Sequence, residues 1–263
     1  MHPETPSDPP RQTMAYGDGV LAWTDEGQGA EVILAIPGLP GSVRDFRWLA
    51  PALLPDVRLV RVELPGFGHS SRQGWSGMAV PERARAVLAL MDGLGLESVH
   101  LLSHSAGGMV VSHLAATAPQ RVRSCSLLAS PGPRPHYPLA VYRALASLFA
   151  WPLGRALMHP LQRILYKAVG FPSYLTDEER MYTTLDASAN NFEAHGRAVS
   201  AITQPLLMAW ARDDRLIPVD IFEALEALAP QGPKLRFDEG GHNIQKTHAL
   251  EIAAAIKALI RVQ

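Results

Sequence analysis

The chain has 263 residues, of which 47% are apolar and 19% charged, and its formal net charge at pH 7 is −1. This composition is that of a globular protein with a substantial core, and the charge balance gives no electrostatic reason to expect nucleic acid as a partner. The single cysteine, Cys125, excludes a disulfide within this chain. Its position within a predicted strand indicates a buried, unreactive thiol.

The N-terminus contains four prolines in its first ten residues and no apolar run. Residues 1–12 are therefore predicted to be a disordered leader and not a secretory signal. No stretch approaches the roughly 20 apolar residues that a membrane-spanning helix needs. On these grounds we expect a cytoplasmic protein.

Short apolar runs alternate with amphipathic stretches from residue 13 onward, which is typical of βα units around a parallel sheet. A pair of strands over 13–24 comes first, turning at a Gly-Asp-Gly sequence. The next predicted elements, in chain order, are a strand over 32–36, a helix over 45–54, a strand over 57–64, a helix over 81–94, a strand over 99–102, a helix over 108–118 and a strand over 122–129.

The alternation stops between residues 131 and 200, where helical segments and prolines occur without a clear strand. It returns with a strand over 206–210, a helix over 219–228, a strand over 234–237 and a helix over 248–262. The predicted fold class is α/β, with a mostly parallel sheet flanked by helices. Residues 13–130 and 201–263 would form this core, and residues 131–200 would form an inserted helical cap.

A strand is predicted to run directly into a helix through the sequence Ser-His-Ser-Ala-Gly, with Ser105 at the apex of the turn. This resembles the nucleophile elbow, G-x-S-x-G, of the α/β-hydrolase family. Gly107 supplies one small residue of that motif, and Ser103 replaces the other. The motif alone is also compatible with an ordinary serine at a helix N-cap. The strand before it and the helix after it favour the nucleophile.

Two later loops resemble the same family. Asp214 stands four residues before Pro218, as in the family pattern G-x-x-D-x-x-x-P, with Asp213 as a minor alternative. A solvated Asp-Asp turn before a helix is the ordinary alternative. His242 follows Gly241 after the last predicted strand, where the family carries its catalytic histidine. The resemblance implies a triad of serine nucleophile, aspartate and histidine base, in the chain order of this family.

The sequence Pro-Gly-Leu-Pro-Gly-Ser after the strand at 32–36 resembles the family's H-G-x-P-G-S turn. The resemblance implies that the backbone N–H groups of Leu39 and Ala106 form the oxyanion hole. Pro37 stands where the family often has histidine. A Glu-Leu-Pro-Gly-Phe-Gly-His-Ser sequence over 63–70 resembles the family's structural turn after the fourth strand.

A serine at the elbow argues against the epoxide hydrolysis and dehalogenation of relatives that use aspartate, and it suits acyl transfer without metal or cofactor. No Cys/His cluster, H-E-x-x-H or P-loop is present. We therefore predict cleavage of a carboxylic ester of a small to medium, fairly apolar substrate through an acyl-enzyme. A C–C bond hydrolase, a lactonase or a cofactor-free perhydrolase would use the same triad, and a non-catalytic ligand-binding protein ranks lower.

No Asp or Glu occurs between Ser98 and Thr176, a span that holds seven Arg and Lys residues among many apolar ones. The preferred interpretation is a cap that packs its apolar face on the core and turns its arginines to water. The cap could instead line a lipophilic pocket or rest on an anionic membrane. His195 and His248 are predicted to be ordinary surface residues, and His104 to pack or to line the pocket.

Overall fold

The structure is a computed structural model that describes residues 6–54, 56–74, 76–137, 139–169, 171 and 173–261. Within these residues, an eight-stranded sheet forms the centre of the molecule. The strands are β1 (Arg11–Tyr16), β2 (Gly19–Glu26), β3 (Glu31–Ile36), β4 (Val57–Glu63), β5 (Val99–His104), β6 (Val122–Leu128), β7 (Leu206–Ala211) and β8 (Lys234–Phe237). Their spatial order is β1-β2-β4-β3-β5-β6-β7-β8. β2 runs antiparallel to both of its neighbours, and all other pairs are parallel.

Helices cover both faces of the sheet. They are α1 (Ala50–Leu53), α2 (Val80–Gly93), α3 (Gly107–Thr117), α4 (Leu139–Leu148), α5 (Pro152–Val169), α6 (Asp177–Ala189), α7 (Phe192–Ser200), α8 (Val219–Leu228), α9 (Ile244–Thr247) and α10 (Ala249–Arg261). α2 and α3 pack in the apolar core of one face, and α1 and α10 in that of the other. Because both faces are covered, every residue of β5 and β7 is buried, as continuous apolar runs predict.

The N-terminal segment joins the sheet earlier than predicted. Residues 1–5 of the expected disordered leader lie outside the described residues, but Arg11 and Gln12 already pair with β2. Asp8 forms ion pairs with Arg47 at 2.9 Å and with Arg61 at 3.1 Å. The ordered part of the chain therefore extends into the predicted leader.

The helix predicted over 45–54 is wrong in its extent. A short 3₁₀ turn covers Val43–Phe46, and α1 begins only at Ala50. The Asp45 carboxylate folds back to accept a hydrogen bond from the Ser42 amide at 3.2 Å, so it caps a turn instead of continuing a helix. Pro51 has no N–H to donate to the preceding turn and therefore stands at the start of α1.

The final helix, predicted over 248–262, agrees with α10, which begins at Ala249. The short helix α9 precedes α10 and ends at Thr247. The ring of the next residue, His248, stacks on Phe237 with 3.8 Å between the ring centroids. Its Nε2 lies 2.7 Å from the Glu239 carbonyl oxygen, so His248 is tied to the loop after β8 and is only partly a surface residue. Cys125 is buried, as predicted, and burial raises the pKa of its thiol to about 12, which disfavours the reactive thiolate.

Among the described residues of the predicted insertion, α4 to α7 connect β6 to β7. The buried Asp186 holds α6 to the sheet domain. Its carboxylate forms an ion pair with Arg72 at 2.9 Å and accepts a hydrogen bond from the Met78 amide at 2.7 Å. The buried Arg83 of α2 donates to Asn190 at the end of α6. Breaking either buried pairing would leave a desolvated charge, so these contacts anchor this part of the insertion.

His195 of α7 contradicts the prediction of a surface residue. It is only 3% exposed, its Nδ1 lies 2.8 Å from the Ser112 hydroxyl, and its Nε2 lies 2.9 Å from the Pro131 carbonyl oxygen. Burial lowers the pKa of its imidazole to about 4. His195 is therefore a neutral core residue that joins α7 to α3.

No helix within the described residues is long and apolar enough to cross a lipid bilayer.

Candidate active site

Ser105 lies at a sharp turn between the end of β5 and the start of α3. Its φ is +50°, a left-handed conformation that a non-glycine residue adopts only under strain. The Ser105 amide donates to the Leu128 carbonyl at 2.8 Å, and the Ser105 carbonyl accepts from Gly108 at 2.9 Å. These bonds on both sides hold the strained backbone, so that Ser105 lines the large cavity beside the sheet.

The glycines after Ser105 are required by close packing. A Cβ on Gly107 would lie 2.4 Å from the Ile36 carbonyl oxygen. A Cβ on Gly108 would lie 2.2 Å from the Ser130 hydroxyl oxygen. Ser103, which replaces the first glycine of the motif, is fully buried, and its hydroxyl donates to the Ser126 carbonyl at 3.2 Å. The serine therefore fits because its polar atom has a partner.

Asp214 and His242 are joined across two loops at the carboxyl end of the sheet. His242 Nδ1 lies 2.7 Å from Asp214 Oδ2, and the Asp214 side chain is fully buried. Asp214 Oδ1 accepts from the amides of Leu216 and Ile217 at 2.8 and 3.0 Å. Burial raises the pKa of this carboxyl, but the hydrogen bonds from His242 and the two amides outweigh it and keep the pKa below its ordinary value.

An ionised Asp214 can only accept hydrogen bonds, so it selects the His242 tautomer with the proton on Nδ1. Nε2 is then left with a free lone pair. Burial lowers the pKa of His242, and the hydrogen bond and charge of Asp214 oppose that shift only in part. The imidazole is therefore neutral near pH 7 and able to take a proton, which is the property required of a general base.

Two neighbouring residues hold the loop of His242. Asp213 is exposed and accepts a hydrogen bond from the Gly241 amide at 2.7 Å, so the two adjacent aspartates contact different groups. His104 Nε2 donates to the His242 carbonyl at 3.0 Å. The geometry thus separates Asp214 as the partner of the imidazole, and His104 lines the cavity and supports the loop, as expected from the sequence.

Leu39 and Ala106, whose amides are the predicted oxyanion donors, both line the cavity that Ser105 lines. In the described part of the chain neither amide donates a hydrogen bond to a protein group. Ala106 is also the N-cap of α3, where the helix dipole favours negative charge. Asp45 holds the other loop by accepting from the Gly38 amide at 3.3 Å. An oxyanion hole built from these two amides would need no histidine side chain at the position of Pro37, because the donors are backbone groups.

The cavity has a volume of about 1310 Å³ and lies between the sheet domain and the insertion. The insertion contributes aromatic and aliphatic side chains to its wall, among them Tyr142, Leu145, Leu165 and Phe192. These residues support the interpretation that the insertion lines a lipophilic pocket. A volume of this size accommodates a substrate larger than a simple acetate ester.

His136 is a cavity residue that the sequence analysis missed. Its ring packs edge-on against Tyr137 and Phe192, and its buried Nδ1 has no hydrogen-bond partner among the described residues. Burial, together with the neighbouring His242, lowers the pKa of His136 to about 4. It lies in a proline-rich connection without periodicity, so no local pattern could identify it.

Three cations border the cavity without an ion-pair partner among the described residues: Arg44, Arg215 and Lys246. Arg44 lies over the Tyr174 ring, 4.9 Å from its centroid, and Lys246 lies over the Trp48 ring at 5.6 Å. Stacking of this kind orients a cation while leaving its hydrogen-bond donors available. These side chains could receive an anionic group of a ligand.

The model of the family described as alpha/beta hydrolase fold matches residues 31–249 of this chain. A 2-hydroxy-6-oxononadienedioate/2-hydroxy-6-oxononatrienedioate hydrolase from Cupriavidus pinatubonensis is 28% identical over 249 residues, which cover 86% of this chain and 85% of that protein. The similarity therefore extends through the sheet domain and the insertion alike.

Solved structures with different activities share the fold. A meta-cleavage product hydrolase from Pseudomonas fluorescens superposes with a TM-score of 0.74 at 17% identity, covering 95% of this chain and 97% of that one. A thermophilic esterase from Thermogutta terrifontis gives a TM-score of 0.76 at 19% identity, covering 96% and 98%. At such identities the likeness shows the fold alone.

Proposed function

Because the chain belongs to the alpha/beta hydrolase fold family, we propose that it is a serine hydrolase that cleaves a carbon–carbon bond beside a ketone in a 2-hydroxy-6-oxo-dienoate type of substrate. The observation that carries the proposal is the similarity, along 86% of the chain, to a hydrolase named for such substrates. Ester hydrolysis, the first prediction from the sequence, is supported less well than its alternative of C–C hydrolysis.

Ser105, Asp214 and His242 are the proposed triad. His242 takes the Ser105 proton while the Ser105 oxygen attacks the ketone carbon, and Asp214 stabilises the resulting imidazolium. The new tetrahedral oxyanion would be held by the Leu39 and Ala106 amides. For this bond to break, the 2-hydroxydienoate must first tautomerise to its 2-oxo form, with the hydroxyl proton moved to C5. When the C5–C6 bond then breaks, its electron pair delocalises through the C3=C4 bond onto the C2 oxygen, and the imidazolium returns its proton to that oxygen, which gives the 2-hydroxydienoate.

The acyl group then remains on Ser105. Water, deprotonated by His242, attacks the acyl carbon, and the imidazolium returns its proton to Ser105. The products are a carboxylic acid and a hydroxydienoate, so the overall change is the addition of one water molecule across the C–C bond.

A dioate substrate carries two carboxylates, and the cavity offers cations to receive them. Arg44, Arg215 and Lys246 border the cavity and form no ion pair with another described residue, in contrast to Arg11 and Arg47. A charge-assisted hydrogen bond to a carboxylate is about twice as strong as a neutral one. These cations support an anionic substrate over a neutral one.

A fairly apolar ester is the second candidate substrate. The observation that favours it is the aliphatic and aromatic wall contributed by the insertion, including Tyr142 and Leu145. An ester would use the same proton transfers, with an alkoxide as the leaving group.

The test compares 2-hydroxy-6-oxo-nona-2,4-dienedioate with a series of p-nitrophenyl esters, using wild type and Ser105→Ala. We expect the absorbance of the conjugated dienoate to disappear with wild type, mass spectrometry to detect both acids, and the rate to fall at least about 10³-fold in the variant. Turnover of esters without turnover of the dienoate would replace the C–C proposal with the second candidate. Absence of both reactions and of Ser105 labelling by a fluorophosphonate would refute the serine hydrolase.

A further inference from the structure

Helix α5 packs with its polar side inward. Its inward residues include Gln162, whose amide donates to the Thr184 hydroxyl at 2.8 Å, and Tyr166, whose hydroxyl donates to the Arg180 carbonyl at 3.0 Å. Met158, nearer the start of α5 and only 6% exposed, is an apolar residue on the same inward side. An ordinary surface helix buries its apolar stripe instead. The preferred interpretation, an apolar face packed on the core, is therefore wrong for α5.

The apolar side chains of α5 face outward at helical spacing. Leu153 is 72% exposed, Leu157 66% and Ile164 67%, and they are joined on this side by Leu161 and Leu165. Trp151, just before α5, is 70% exposed, and the apolar surface continues to Leu148 at the end of α4. We call this surface, formed by Leu148, Trp151, Leu153, Leu157, Leu161, Ile164 and Leu165, the apolar face. Large exposed apolar surfaces mark sites of interaction with a protein or a membrane.

The two helices that form the apolar face carry only cations, one of which, Arg163, is ion-paired with Asp177 at the start of α6. α4 and α5 contain Arg143, Arg155, Arg163 and Lys167 and no Asp or Glu. Two copies of this chain that met through the apolar face would bring these cations towards one another. An anionic lipid surface would complement them, and a tryptophan beside a leucine-rich face suits the boundary between headgroups and acyl chains.

We propose that the apolar face of α5 docks on the surface of an anionic lipid bilayer, with α5 lying in the plane of the interface. Leu165 belongs to the apolar face and also lines the cavity, so docking would bring one edge of the cavity to the lipid surface. Docking of the apolar face would occur whichever bond the enzyme cleaves.

The experiment measures co-sedimentation of the full chain with vesicles of phosphatidylglycerol and phosphatidylcholine in equal parts, and with vesicles of phosphatidylcholine alone. We compare wild type with the double variant Leu153→Ser/Leu157→Ser. The matched control is Leu250→Ser, because Leu250 is 75% exposed on α10, in the sheet domain. Ser105→Ala is included to separate docking from catalysis.

Wild type, Leu250→Ser and Ser105→Ala are expected to bind the anionic vesicles equally and the neutral vesicles more weakly. The double variant should lose at least about tenfold in apparent affinity, because each leucine removes apolar surface from the interface. Circular dichroism checks that it is folded. If the double variant does not fold, Lys167→Glu takes its place. This variant should lose about fivefold or more in apparent affinity for the anionic vesicles, and the loss should become smaller at higher salt concentration.

Three results would overturn the proposal. One is wild type that stays in the supernatant with both kinds of vesicle. A second is an equal loss of binding in Leu250→Ser. The third is sedimentation equilibrium in which wild type dimerises and the folded double variant does not, without vesicle binding, since this would assign the apolar face to a second copy of the chain.

Discussion

Replacing Asp214 with asparagine tests the role of the buried carboxylate. The asparagine oxygen can still accept from the Leu216 and Ile217 amides, which now contact Asp214 Oδ1 at 2.8 and 3.0 Å. Its NH₂ group would then face His242 Nδ1, the atom now 2.7 Å from Asp214 Oδ2. An NH₂ group donates, so Nδ1 would have to accept, and the imidazole proton would move to Nε2.

A His242 protonated at Nε2 cannot accept the Ser105 proton. The same carboxylate-to-amide exchange in a serine protease triad lowers kcat by about 10⁴-fold. We therefore expect a loss of roughly 10³- to 10⁴-fold in kcat, which corresponds to about 4–5.5 kcal/mol of activation free energy. The substrate is whichever compound wild type turns over, and initial rates are measured across pH 5–9, a range of about four units around the ordinary histidine pKa.

The neighbouring Asp213 provides the control. Asp213→Asn changes an exposed carboxylate that contacts the Gly241 amide and not the imidazole, so we expect less than about a fivefold loss. The reasoning would be refuted if Asp214→Asn lost less than tenfold in kcat, or if the two variants lost activity equally. Because Asp214 raises the pKa of His242, the acid limb of the residual activity should also move to lower pH in Asp214→Asn.

Three further predictions follow from burial and close packing. The pKa of His242 lies below its ordinary value of 6.5, so the acid limb of kcat/KM should fall below that pH; a limb above it would contradict the assignment of His242. Gly107→Ala should abolish fluorophosphonate labelling and cost more than about 2 kcal/mol, since its Cβ would meet the Ile36 carbonyl at 2.4 Å; a melting curve like that of wild type would argue against this. The pKa of His195 is lowered to about 4, so the contribution of this residue to stability is complete above about pH 6.5 and is lost as the pH falls towards 4. Urea titrations should show this loss as roughly 3 kcal/mol of unfolding free energy in wild type. The loss should disappear in His195→Gln, whose side chain can still form a hydrogen bond with Ser112.

The alternation of apolar runs and helical segments predicted the strands because the central parallel strands, such as β5 and β7, are buried on both faces, which favours apolar residues whatever the neighbouring strands are. β7 and β8 lie within a residue of their predicted bounds, and α8 matches its prediction. The helix over 45–54 failed because Asp45 and Pro51 act through hydrogen bonds that apolar spacing does not reveal.

The proposed triad could be located from the sequence because each member sits on a short loop whose neighbours have local requirements, such as the glycine after Ser105 that passes the Ile36 carbonyl. In the sequence, Asp214 was preferred to Asp213 only because it stands four residues before Pro218, as the family pattern requires. The structure distinguishes them by contact, since only Asp214 reaches the imidazole.

The sequence by itself determined the α/β class, the place of the insertion, and the identities of Ser105, Asp214 and His242 as candidates, because these follow from periodicity and from motifs within a few residues. Tertiary structure decided which side of α5 is buried, that His195 belongs to the core, and that His136 borders the cavity. Each of these depends on what packs against the residue from a distant part of the chain. An amphipathic pattern shows that a helix has two faces, and only the neighbouring elements decide which face meets solvent.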